Sequence, residues 1–300
     1  MRDWGLSDDA EGLHRFCGVV MEAAGDRIAV VKPQSAFFER LGSPGLSELA
    51  KTVATIREQG ALSIIDCKRG DVIDTMEGYA GAMLGQHSGF GGDAMTVTAY
   101  LGFGALRPVL DRAAKCNGAA FVVVRSSNSE GCSVQDARLA DGRTVADALA
   151  DEITAFNTAL GDQIGPVGAV VGATVDGIAA NVLARLPRSL ILAPGVGAQG
   201  ASLDDVRNNF GTAIGRTLPS VSRSILRHGP SLAALREAIV AIGNKRGGRL
   251  NLSNRCNFGR IVKPHADLRP MLFAFLVNPD VKHRPAVLRI GTDHRAGRQR

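Results

Sequence analysis

The most chemically suggestive stretch of this sequence carries four charged side chains within six residues: Asp66, Lys68, Arg69 and Asp71. They follow a short apolar run over 62–65, typical of a buried strand that presents side chains at its carboxyl end. Since alternate residues of a strand point to one side, Asp66 and Lys68 are expected to lie together. Crowded carboxylates and amines shift one another's pKa values and can transfer protons. A surface salt-bridge cluster is the alternative interpretation.

Other predicted strands also end in polar residues. Lys32 ends the short buried strand predicted over Arg27–Val31, and Ser127 and Asn128 follow the strand predicted over 119–124. Neutral hydroxyl and amide groups suit an amide or pyrimidine edge, although they are also common in ordinary turns. A lysine held between carboxylates stays protonated, so it could act as a general acid.

A glycine-rich segment, Pro194–Gly200, follows a further predicted strand. Its glycines would let backbone N–H groups close around a phosphate, and the helix beginning near Ser202 would add its positive end. The next strand leads to Arg223, which could grip the same anion. A phosphate-binding segment close to the charged residues of 66–71 predicts chemistry on a phosphorylated small molecule. We find no His-rich or Cys-rich metal motif in the sequence.

The elements that must position these residues alternate between strand and helix, which predicts a parallel sheet covered by helices. Seven strands are predicted, whereas a (β/α)8 barrel needs eight. The chain opens with a helix, and Met1–Leu6 is too short and too polar to supply a preceding strand. A doubly wound sheet tolerates seven strands, but no GxGxxG follows the first one. The predicted strands are Arg27–Val31, 61–66, Ala94–Thr98, Ala119–Val124, Val167–Val171, Ser189–Ala193 and Leu218–Val221, and the predicted helices are 9–24, 46–58, 73–87, 104–116, 143–159, 176–184, 202–209 and 231–242.

Composition limits the class of protein. Hydrophobic residues make up 45% of the chain, and its 36 glycines suit a fold with many tight turns. The five cysteines are scattered, so we expect reduced thiols and a cytoplasmic location. The acidic N-terminus lacks the apolar core of a signal peptide, and no apolar run is long enough to span a membrane.

The basic charge is concentrated at the end of the chain. Residues 243–300 hold 13 Lys and Arg against 3 Asp, whereas residues 1–242 hold 22 basic and 26 acidic residues. The net charge of +6 therefore gives no reason to expect a nucleic-acid partner for the body. We expect a folded domain over 1–242 and a basic, disordered tail over 243–300. Alternatively, the apolar run Met271–Val277 fills the place of the missing strand.

These segments resemble the orotidine 5'-phosphate decarboxylases, and in particular a bacterial group of that family. The similarity runs from about Leu6 to Ile242. Its most specific motif is DxKxxD followed by Thr, and it is supported in order by VVKPQSAFFE, YLGFG, SSN, APGVGAQG and PSVSR. Family members open with a strand that carries a ribose-binding Asp, so the resemblance implies a TIM barrel whose first strand is missing or replaced.

The resemblance implies that the protein decarboxylates orotidine 5'-phosphate to UMP, the last step of de novo pyrimidine synthesis, without metal or organic cofactor. Lys68 would protonate C6, Asp66 would face the substrate carboxylate, and Lys32 would hold the array and contact the ribose. Two residues would reach into the partner's site of a homodimer. Those two are Asp71 and Thr75. Ser127 would contact the pyrimidine, and the residues that would contact the phosphate are Gly197, Gln199 and Arg223.

Two other functions stay open. The protein could be a nucleotide-binding remnant with impaired catalysis, which would respond to UMP without turning substrate over. It could also be a sugar-phosphate decarboxylase of the same barrel superfamily, which shares DxKxxD and needs Mg²⁺. Lys32 and Ser127 argue against the second.

Overall fold

A computed structural model describes residues 1–161, 164–173, 178–196 and 201–244, together with a strand at 272–273. Strands and helices alternate along the chain, as predicted. The strands are β1 Val30–Val31, β2 Leu62–Arg69, β3 Ala94–Val97, β4 Ala119–Arg125, β5 Val167–Val171, β6 Ile191–Ala193, β7 Thr217–Pro219 and β8 Leu272–Phe273. The helices are α1 Ala10–Ala24, α2 Ser35–Glu39, α3 Gly42–Glu58, α4 Ile73–Met83, α5 Arg107–Lys115, α6 Cys132–Gln135, α7 Val145–Ala159, α8 Ile178–Ala184, α9 Leu203–Phe210, α10 Arg223–Leu226 and α11 Leu232–Asn244.

All eight strands belong to one sheet in the order β7-β6-β5-β4-β3-β2-β1-β8, and each neighbouring pair is parallel. From β1 to β7 the spatial order follows the sequence order without the reversal that a doubly wound sheet requires. This α/β sheet is consistent with the wall of a TIM barrel. All strand carboxyl ends therefore lie at one edge of the sheet.

The two faces of the sheet bury different residues. One face carries an apolar cluster to which β2 contributes Leu62 and Ile64, β3 contributes Ala94 and β4 contributes Phe121. The other face packs against the helices, with Ile65 among its fully buried residues. Because side chains alternate along a strand, the residues that continue the first cluster toward the carboxyl ends also point to its side. That row supplies the functional side chains described below.

The predicted elements are confirmed, with shifted bounds and a few additions. β1 is limited to two residues, and β2 runs to Arg69 rather than to residue 66. The short helices α2, α6 and α10 were not predicted, because one turn of helix carries no readable periodicity.

The first residues of the chain and strand β8 both contact other elements of the fold. The first residues form a 3₁₀ turn, in which Trp4 packs on Phe16 with ring centroids 4.5 Å apart and donates from Nε1 to Leu226 O at 3.0 Å. In the tail, β8 pairs in parallel with β1 and also approaches β7. The expected disorder of the remaining tail concerns residues outside the described part of the chain.

Candidate active site

Asp66 is the centre of the candidate site. It continues the row of Leu62 and Ile64 at the carboxyl end of β2, and it is buried. Lys32, just after β1, forms an ion pair with its Oδ2, while Lys68 pairs with its Oδ1. Lys32 is buried as deeply as Asp66, whereas the side chain of Lys68 is half-exposed. One carboxylate therefore holds two ammonium groups, of which only one can readily meet a ligand.

Lys32 and Lys68 keep the Asp66 carboxyl group in its ionised form. Burial by itself would raise the pKa of Asp66, but the charges and hydrogen bonds of Lys32 and Lys68 outweigh it and hold that pKa well below its usual range. Burial lowers the pKa of Lys32, and the neighbouring Asp66 charge opposes that shift. Asp66 is consequently ionised at neutral pH.

Two further residues hold Asp66, and the sequence reasoning missed both. Thr96 Oγ1 donates to Asp66 Oδ1 at 2.9 Å. Gln34, with its amide nitrogen turned toward β2, donates to Asp66 Oδ2 at 2.6 Å. Extending the alternation of β3 from Ala94 would have placed Thr96 beside Asp66.

The prediction that Asp66 and Lys68 lie together is confirmed, but regular strand geometry is not the reason. Lys68 adopts a left-handed backbone with φ 45°, which is uncommon for a residue other than glycine. The register between β2 and β3 also shifts between Ile65 and Arg69. β2 therefore bulges at the lysine, and such bulges re-aim side chains.

Arg69 and Asp71 do not join this array within one chain. Arg69 pairs with Glu39 of α2, and its guanidinium lies 5.3 Å from the ring centroid of Tyr79. Asp71 accepts a hydrogen bond from Val72 N at 2.8 Å and forms no ion pair within the described residues. Thr75 lies exposed on α4. The structure therefore brings together Lys32, Asp66 and Lys68 but leaves Asp71 and Thr75 outside their contacts.

Ser127 lies at the carboxyl end of the neighbouring strand β4. Gly172, just after β5, lies so close that a Cβ at this glycine would be 2.8 Å from Ser127 N. The preceding Arg125 is buried and pairs with Asp136 at 3.0 Å, while Gln135 Oε1 accepts from Ser126 N at 2.9 Å. The segment after β4 is thus fixed on both sides.

The predicted phosphate end is described in part. Gly197 and Gln199 lie outside the described residues, but Val196 and Ala201 at the two ends of their segment form a parallel bridge. Ser220 N donates to Ala193 O at 2.9 Å, which places the end of β7 beside the end of β6. Arg223 is exposed at the first position of α10. The strand ends that lead to the predicted phosphate residues are therefore neighbours.

Among the residues that the structure describes, no three His, Cys, Asp or Glu side chains are grouped as metal ligands. No helix in the same part of the chain is long and apolar enough to cross a membrane.

A parallel α/β sheet with charged side chains at the carboxyl ends of its strands is the arrangement typical of an α/β enzyme. Residues 9–238 match the profile of the orotidine 5'-phosphate decarboxylase / HUMPS family. The chain belongs to this family. It is 50% identical over 237 residues to the orotidine 5'-phosphate decarboxylase of Myxococcus xanthus, covering 79% of this chain and 82% of the relative. The corresponding protein of Salinispora tropica is 51% identical over 235 residues, with 78% and 84% covered.

Solved structures agree with this assignment. A crystal structure from Streptomyces avermitilis, described as that of an orotidine 5'-phosphate decarboxylase, is 46% identical and superposes with a TM-score of 0.76. It covers 82% of this chain and 85% of its own. The Leishmania donovani OMP decarboxylase is 28% identical, with a TM-score of 0.67 over 81% of this chain and 91% of its own.

Proposed function

We propose that this protein decarboxylates orotidine 5'-phosphate to UMP and carbon dioxide in de novo pyrimidine synthesis. Family membership supports this reaction, and the observation that carries it is the array of Lys32, Asp66 and Lys68 at the carboxyl ends of β1 and β2. Chemistry in this fold is expected at those ends. A buried, ionised carboxylate next to an accessible ammonium group suits a reaction in which a substrate carboxylate leaves as neutral carbon dioxide and a proton takes its place.

In the proposed step the bond between C6 and the carboxylate carbon breaks, and its electron pair stays on C6. Lys68 Nζ gives its proton to C6, and water restores the lysine. Asp66 would lie near the substrate carboxylate, so its charge would destabilise the bound substrate and lose this effect as neutral carbon dioxide leaves. Lys32 would keep Asp66 ionised and contact the ribose. The proposed step draws on no metal or organic cofactor.

The rest of the substrate would be bound by the neighbouring strand ends. Ser127, fixed by the packing of Gly172, would contact the pyrimidine edge. Gly197 and Gln199 would contact the phosphate, together with Arg223, whose guanidinium can bind an anion through two hydrogen bonds.

We further propose a homodimer in which Asp71 and Thr75 complete the partner's site. Four large apolar residues beside them are more than half exposed: Val72, Ile73, Tyr100 and Leu101. The two segments that carry them lie close together, because a Cβ at Gly70 would lie 2.4 Å from Thr98 O. An apolar surface of this kind marks an interface with another protein.

The chain is proposed to consist of a decarboxylase domain over 1–242 and a basic tail over 243–300. Within the tail, Met271–Val277 would supply a strand next to β1, which the pairing of Val30 with Leu272 supports. Deletion of residues 271–277 is then expected to lower the melting temperature relative to that of the full-length protein. Equal melting temperatures would contradict this assignment. A cytoplasmic location and the lack of a nucleic-acid partner stay predictions from composition.

The activity is tested by the loss of ultraviolet absorbance of orotidine 5'-phosphate with the purified full-length protein. Turnover should persist in the presence of a metal chelator, and it should be abolished in Lys68→Ala. Magnesium-dependent activity on a sugar phosphate would indicate the other class of decarboxylase. A folded dimer that gains thermal stability with UMP but shows no turnover would indicate a binding remnant.

A further inference from the structure

Thr96 forms hydrogen bonds with both of the residues proposed to react, Asp66 and Lys68. It is 1% exposed on β3, in the row that continues Ala94 toward the carboxyl end. Its Oγ1 is 2.9 Å from Lys68 N and 2.9 Å from Asp66 Oδ1. A single hydroxyl therefore contacts the backbone of one reacting residue and the carboxylate of the other.

The direction of both hydrogen bonds is fixed by chemistry. The N–H of Lys68 can only donate, so it uses a lone pair of the hydroxyl oxygen. The hydroxyl proton is then free for Asp66, which is ionised and can only accept. Thr96 is thus the donor to one group and the acceptor from the other, without an alternative arrangement.

The bond to Lys68 N falls at the bulge in β2. The lysine has φ 45°, and the β2–β3 register shifts between Ile65 and Arg69. An L-residue in this left-handed conformation persists only where its surroundings hold it. The regular pairing resumes at once, since Thr98 N donates to Arg69 O at 2.8 Å. Between these pairs, the Thr96 hydroxyl accepts the N–H of Lys68 at the bulge.

We infer that Thr96 is a positioning residue for the decarboxylation: its hydroxyl holds the left-handed backbone of Lys68 and orients the Asp66 carboxylate, so that the ammonium and the carboxylate face the substrate together. The inference rests on the proposed function for its catalytic meaning. Its structural part, the restraint of the Lys68 backbone, holds independently of turnover.

The test compares Thr96→Val with Thr96→Ser. Valine keeps the shape and removes the hydroxyl, whereas serine keeps the hydroxyl. In Thr96→Val we expect kcat to fall on the order of 10-fold to 100-fold, as for a small misplacement of reacting groups, with KM nearly unchanged. Thr96→Ser should retain most of the wild-type kcat.

A matched control is available in Thr217 at the start of β7. Its side chain is also fully buried in a strand, and its Oγ1 donates to Ala213 O at 2.8 Å. It lies at the opposite end of the strands, so Thr217→Val should keep the wild-type kcat even if the variant is less stable. Equal losses of kcat in both valine variants would overturn the inference, as would full activity in Thr96→Val.

A second measurement separates this inference from the proposed function. Amide hydrogen exchange at Lys68 in the free protein should be faster in Thr96→Val than in wild type and Thr96→Ser. If wild type shows no turnover but this difference in exchange is present, the proposed reaction fails and the backbone restraint stands. Unchanged exchange in Thr96→Val would overturn the restraint itself.

Discussion

Lys32 and Asp66 form an ion pair between neighbouring strands that is almost completely removed from solvent, with 3% and 6% of the two residues exposed. Burying two charges is costly unless each finds the other and the remaining hydrogen-bonding positions are filled. Here Lys68, Thr96 and Gln34 fill those of Asp66. Each charge of the pair is therefore satisfied where it is buried, and removing one partner would leave the other with fewer compensating contacts.

Removing the buried ammonium should destabilise the fold. In Lys32→Met the free energy of unfolding is expected to fall by about 3 kcal/mol, because Asp66 keeps its charge in a buried place with one partner fewer. Urea titration measures this change. Lys51→Met is the control, since exposed Lys51 lies 3.9 Å from Glu48 and such surface contacts contribute less than about 1 kcal/mol. Equal effects of the two substitutions would contradict the prediction.

Stability should depend on pH in the acid range through Asp66. Its folded pKa lies below the unfolded value of about 3.9, so the unfolded chain binds more protons between these two values. The stability contributed by Asp66 is therefore present above the unfolded pKa and is lost as the pH falls through the folded pKa. Urea unfolding between about pH 6 and pH 3 should show this loss. Asp66→Asn should flatten the dependence, and a slope as steep as in wild type would contradict the assignment to Asp66.

In the alkaline range the stability of the fold should also rise with pH, here through Lys32. Burial lowers its pKa in the folded state, so in the window between the folded and unfolded values the unfolded chain again binds more protons. Stability is expected to rise with pH through that window. Comparing urea titrations of wild type and Lys32→Met in alkaline buffers tests this. A rise of the same size in both proteins would assign the effect to other groups.

Ser127 should depend for its position on the absence of a side chain at Gly172. In Gly172→Ala the added Cβ would lie 2.8 Å from Ser127 N, a backbone atom that cannot move aside by rotating. We expect a decrease in kcat/KM on the order of 10-fold to 100-fold, the size of effect that small misplacements near the reacting atoms produce. Steady-state kinetics on orotidine 5'-phosphate measures it.

The control for this substitution is Gly18→Ala on the exposed side of α1, where a Cβ meets no atom within 4 Å. Alanine is the better helix former, so this variant should be as active as wild type and slightly more stable. Activity in Gly172→Ala equal to that of Gly18→Ala would mean that Ser127 either tolerates the displacement or has no part in binding.

The proposed sharing of Asp71 across the dimer predicts complementation between inactive variants. Lys68→Ala and Asp71→Ala should each be nearly inactive alone. When the two are unfolded together and refolded, half of the dimers are mixed, and one of the two sites in each is intact. About a quarter of the wild-type activity should then return, as two-fold symmetry requires. If mixing restores nothing while each variant is dimeric, Asp71 acts within its own chain or not at all.

Much of the site can be predicted from the sequence, because the carboxyl end of a buried strand is recognised where an apolar run gives way to polar residues. Asp66 follows a mainly apolar run over 62–65 that ends in two isoleucines, and Lys32 follows the two valines of β1, so parallel pairing brings them to one edge. Thr96 was missed because a threonine in an apolar strand is ordinary and its partners lie on another strand. Neither the left-handed backbone of Lys68 nor the turn of Arg69 toward Glu39 can be predicted from spacing, since both depend on contacts between elements.

The position of β8 has a consequence for the synthesis of the protein. Val30 pairs with Leu272, so a strand made early meets its neighbour only after residue 272 has been translated. On the ribosome, the nascent chain would expose the open edge of β1 while the strands between them are already paired. Contacts so distant in sequence also form slowly. The synthesis of β8 would then set the moment at which the edge of β1 becomes protected from aggregation and proteolysis.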